Sequence, residues 1–111
     1  MNRLSQLLQF LQENPNDPFI KYCLALEYDK AGESTKAVEY FTVLEQQHAD
    51  YVATYYHLGK LYEKLQEKGK AEQTYNKGLL VAQLAKDQHA YSELLNAKNE
   101  LVNNYDVEFD E

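Results

Sequence analysis

A step of 34 residues carries this chain onto itself: Leu24, Ala25, Tyr28, Ala37, Phe41 and Leu44 reappear as Leu58, Gly59, Tyr62, Ala71, Tyr75 and Gly78. A fixed period between about 20 and 50 residues is the signature of a repeat architecture, in which each repeat is too small to bury its apolar face and stacks on its neighbour. Function in such a chain belongs on a stacked surface.

The local pattern within that period is helical. Leu4, Leu7, Leu8 and Leu11 follow the i, i+3, i+4, i+7 spacing of an amphipathic helix, and Asn14-Pro15 ends it, so a first helix is predicted over residues 2–13. Asp17-Pro18 reads as an N-cap followed by proline at the first helical position, opening a second helix that Gly32 stops. Ser34 is placed to cap a third, with Ala37, Val38, Phe41 and Leu44 on one side and an end near His48. Asp50 is placed to cap a fourth, with Tyr55, Leu58, Leu61, Tyr62 and Leu65 inward and Gly69 at or near the following turn. A fifth reaches Ala85, and its run Leu79-Leu80-Val81-Ala82 is apolar around more than half the helix, which predicts cover on several sides. The sixth, over Asp87–Asn103, supplies that cover with Tyr91, Leu94, Leu95, Leu101 and Val102. The expected fold class is all-α, with six helices and no strand.

Composition narrows the functional classes. The 111 residues suit one domain, and 44% hydrophobic with 13% aromatic residues is ample for a core. The net charge is −7, of which Asp106, Glu108, Asp110 and Glu111 supply four, leaving −3 for the body. An acidic chain lacks the basic patch that gives affinity for phosphate backbones, so nucleic acid is not an expected partner. The single cysteine, Cys23, rules out an intrachain disulfide and is read as a buried structural thiol in a reducing compartment. No stretch approaches the roughly 18 apolar residues of a membrane span, and the N-terminal segment is too polar for a signal peptide, so a cytoplasmic protein with no membrane partner is expected.

The details of the period resemble the tetratricopeptide repeat, a helix-turn-helix of that length. Tyr55, Leu58-Gly59, Tyr62, Ala71, Tyr75 and Gly78 fall on its aromatic, Leu-Gly, aromatic, Ala, aromatic and small positions, and Leu24-Ala25, Tyr28, Gly32, Ala37 and Phe41 match it in the first repeat. Lys21 departs from the pattern where an aromatic is usual, Gln66 replaces a turn glycine, and Ala49 replaces a closing proline. The resemblance implies a right-handed superhelical stack of antiparallel helix pairs, with Ala25 or Gly59 facing Ala37 or Ala71 where the axes close in. Extended backwards, the register sets Leu7 before Phe41 and Phe10 before Leu44, making helix one the second half of a repeat whose first half is missing. Extended forwards it fails at Ser92, Glu93 and Asn96, so helix six reads as a polar-faced cap. The predicted organisation is a half repeat over 1–17, repeats over 18–51 and 52–85, a capping helix over 86–104 and an acidic tail over 105–111.

No residue set points to catalysis. His48, His57 and His89 lack any metal-ligand spacing, and the carboxylates accompany no nucleophile motif or glycine-rich loop, so no enzyme activity, metal or cofactor is expected. The resemblance implies a concave groove lined by the first helix of each repeat: Phe19, Tyr22, Leu26, Asp29 and Lys30, then Tyr56, Lys60, Glu63 and Lys64. Lys30, Lys60 and Lys64 against Asp29 and Glu63 make that set about +1. It suits a protein or peptide segment with apolar anchors and some acid, with Tyr22 and Tyr56 as anchors. The lysine-and-asparagine carboxylate clamp of one subtype is not implied, because Tyr22 and Leu26 stand at its places. The alternative is a structural module that associates with a second copy through the exposed flank of helix one. In the tail, Tyr105, Val107 and Phe109 alternate with Asp106, Glu108 and Asp110, which suits an extended peptide able to dock on such a groove.

Overall fold

The computed structural model describes the backbone of residues 2–109 and the side chains of residues 2–103. Among the described residues there are six helices and no strand: α1 (Arg3–Glu13), α2 (Pro18–Lys30), α3 (Ser34–Gln47), α4 (Ala53–Lys64), α5 (Lys68–Ala85) and α6 (Gln88–Phe109). Two compact units divide them, Met1–Tyr51 and Val52–Glu111.

Short polar side chains start three of these helices. Asn2 accepts a hydrogen bond from the Ser5 amide at 2.8 Å, Asp17 from Phe19 at 2.9 Å, and Asp87 from Ala90 at 3.0 Å, each satisfying an amide that the first turn leaves without a partner. Ser34 and Asp50 do not cap as expected. The N-cap positions of α3 and α4 are Glu33 and Val52, and neither side chain makes a capping bond. For α3 the reason is the tightness of the preceding turn. The Glu33 amide already closes the end of α2 by donating to the Tyr28 carbonyl at 2.9 Å, while the Gly32 amide donates to Asp29 at 3.1 Å, so α3 begins at once and Ser34 is its first residue.

The same two bonds recur 34 residues on. Glu67 donates to Tyr62 at 2.8 Å and Gln66 to Glu63 at 3.0 Å. Gly32 holds φ 81° and Gln66 φ 63°, so the left-handed position of the second turn is Gln66. Gly69, expected at or near that turn, is the second residue of α5.

In the N-terminal unit, α2 packs on α1 and on α3. Leu7, Ile20, Cys23 and Leu24 form a buried cluster, with Leu4, Leu11, Tyr28 and Tyr40 against it. Burial raises the pKa of the Cys23 thiol, which fits a structural role. Arg3 pairs with Glu27 at 3.0 Å across α1 and α2, a solvated contact worth at most about 1 kcal/mol.

In the C-terminal unit, α4, α5 and α6 pack mutually. Tyr55, Ala71, Tyr75, Ala82, Leu94, Ala97 and Leu101 are its core. Gly59 lies under Tyr75, whose ring occupies the space a Cβ would need, while Gly78 leaves room for Tyr55 and Leu94.

Cover of α5 is narrower than expected. α4 and α6 take the side carrying Ala71, Tyr75, Gly78 and Ala82, so Leu80 and Leu84, on the opposite side of the helix, stay 58% and 76% exposed. Leu65, expected inward, is the exposed C-cap of α4, and on α6 Tyr91 and Leu95 are each 37% exposed while Ala97 is buried. Ser92, Glu93 and Asn96 are exposed, in keeping with a polar-faced cap. α6 also runs to Phe109 where an extended tail was expected after residue 104. Elongating a formed helix costs far less than nucleating one, and that overrides the alternating pattern. The side chains of the proposed docking tail, 105–111, lie outside the described residues.

Candidate functional site

The expected interaction residues lie on α2 of one unit and α4 of the other. On α2, Phe19 stands in the first turn and is 58% exposed. Tyr22 is half-buried with its ring centroid 5.6 Å from that of Tyr51, tilted by 54°, so part of the ring completes packing within the N-terminal unit. Leu26 and Asp29 are half-buried, and Lys30 is exposed in the last turn. There its charge complements the helix C-terminus, as does that of Lys64 at the end of α4.

Lys21 is the unexpected member of this helix. It is only 6% exposed, and its Nζ donates to Gln47 Oε1 at 2.8 Å and lies 3.4 Å from His48 Nε2. Gln47 and His48 end α3, where the unpaired carbonyls of the last turn favour a cation. The ammonium thus stands where the repeat usually sets an aromatic and serves as a structural end piece for α3.

The C-terminal unit brings its expected residues together. Tyr56, Lys60 and Glu63 lie on the face of α4 opposite Leu58, and each is half-buried. The Lys60 ammonium sits 5.7 Å from the centroid of the Tyr56 ring, 3.8 Å from Glu63 Oε2 and 4.0 Å from Glu100 Oε2. Glu63 is fixed from beneath, because the Tyr75 hydroxyl donates to its Oε2. Burial, and then this hydrogen bond, raise the pKa of the Tyr75 phenol far above its ordinary value. A chain of contacts therefore runs from the core to the surface: Gly59, Tyr75, Glu63, Lys60, Glu100.

Sequence reasoning missed two members of this chain. Tyr75 was assigned to packing alone, and Glu100 belongs to the capping helix, more than one period from Glu63. Glu100, outside the expected set, gives Lys60 a second carboxylate neighbour beside Glu63.

The other candidates for chemistry stay apart. His57 is half-buried and edge-on to Tyr56 at 5.5 Å, and the exposed His89 lies 3.9 Å from Glu93. Among the described residues no group of three or more His, Cys, Asp or Glu is placed to hold a metal ion, and no helix is long and apolar enough to cross a membrane. A cleft of about 460 Å³ at the α5–α6 turn, beside Gln83, Asp87 and Tyr91, includes none of the expected interaction residues.

The fold defines an all-α helical repeat protein. Matched with solved structures, the chain is similar to a tetratricopeptide repeat domain protein from Salinibacter ruber. The solution structure of that protein is 44% identical over 78% of this chain and 88% of its own, with TM-score 0.76. Its crystal structure is 42% identical over 78% and 97%, with TM-score 0.75. The chain belongs to the tetratricopeptide repeat family. A Bordetella parapertussis protein, 19% identical over 99% of this chain and 96% of its own, shares the fold with TM-score 0.85. MamA, 19% identical over 93% of this chain and 58% of its own, shares it with TM-score 0.69. No protein-family model and no curated protein matches the chain.

Proposed function

We propose that this chain is a non-catalytic, cytoplasmic protein-interaction module that binds a partner protein, the accessible face of α2 being the candidate surface of its unit and that of α4 the candidate surface of the other. The observation that carries the reading is the ordered face of α4. Tyr56, Lys60 and Glu63 are accessible yet held by contacts from the core and from α6. A face fixed before the partner arrives loses little side-chain entropy on binding, and a half-buried aromatic is a common interface anchor. On α2, Phe19 and Tyr22 are the corresponding apolar contacts.

Association of two copies through α1 has weaker support. Its exposed apolar residues, Leu8 and Phe10, are two positions apart and so project from opposite sides of the helix. Arg3 stands where the other two repeats bury Ala37 and Ala71.

Affinity capture from a native lysate tests the reading, with wild type compared against Tyr22→Ala, Tyr56→Ala and the surface control Leu84→Ser, all checked for folding by circular dichroism. Proteins retained by wild type and by the control but lost from the tyrosine variants are the expected result. A set retained equally by all four would sink it.

A further inference from the structure

We draw no further inference here: the strongest candidate, the exposed edge of α5 formed by Leu80 and Leu84, is an unpartnered apolar face, and nothing in the structure shows what covers it.

Discussion

A Cβ added to Gly59 would lie 2.2 Å from Cε1 of Tyr75, well inside any tolerated contact. The ring is fully buried and its hydroxyl is held by Glu63, so it has no room to retreat. Gly59→Ala should therefore cost about 1–3 kcal/mol through overpacking. Chemical denaturation measures it, and a smaller loss from the same change made in a Tyr75→Leu background would assign the cost to this contact. An unchanged midpoint for Gly59→Ala would remove the account.

The turn after α4 carries a strained residue that the turn after α2 avoids. Gln66 adopts φ 63°, where Gly32 adopts φ 81° in the equivalent place. A side chain in the left-handed region costs about 1 kcal/mol that glycine is spared. Gln66→Gly should thus stabilise the chain by up to about 1 kcal/mol and Gly32→Gln should destabilise it by a similar amount, read from thermal melts. Loss of stability in Gln66→Gly would contradict this.

Stability should fall above about pH 10 through Tyr75. Its folded pKa is raised by burial and by the bond to Glu63, so the contribution is complete below the unfolded value of about 10 and is lost as pH rises toward the folded one. The unfolded chain releases this proton first, and the expected slope is about 1.4 kcal/mol per pH unit above pH 10. Tyr40 and Tyr51, also raised by burial, act in the same direction. Denaturation midpoints measured across this range should fall less steeply in Tyr75→Phe. Parallel curves for the two proteins would exclude the mechanism.

The two sides of α5 should respond differently to substitution. Leu80→Ser and Leu84→Ser alter exposed side chains and should change stability by no more than about 0.5 kcal/mol. Leu94→Ala, facing α5 from α6, empties a buried position and should cost about 2–5 kcal/mol. Similar losses for Leu84→Ser and Leu94→Ala would mean that α5 is covered on both sides.

Much of the architecture was legible because its causes are local. Asp17-Pro18 announces a helix start through one side-chain cap and one missing amide, and Gly32 announces a stop through its backbone freedom. The expected cap at Ser34 failed for a reason outside its own residue: the turn before it already fixes where the next helix begins. The candidate site was legible in part. Helical spacing predicts that Tyr56, Lys60 and Glu63 share a face, whereas the meeting of Lys60 with Glu100 depends on how α6 crosses α4.

The sequence by itself determined the 34-residue register, the six helices, the small residues at close contacts and the polar face of the last helix. These follow from periodicity and from steric rules that act over a few residues. The tertiary structure decided what lies against each of those residues: Tyr75 over Gly59, little cover over Leu80 and Leu84, and a second carboxylate beside Lys60. Distances between side chains on different helices are set by packing, and packing redistributes charge and exposure in ways that no single helix encodes. That redistribution set a carboxylate of α6 beside a lysine of α4, a pairing that neither helix encodes alone.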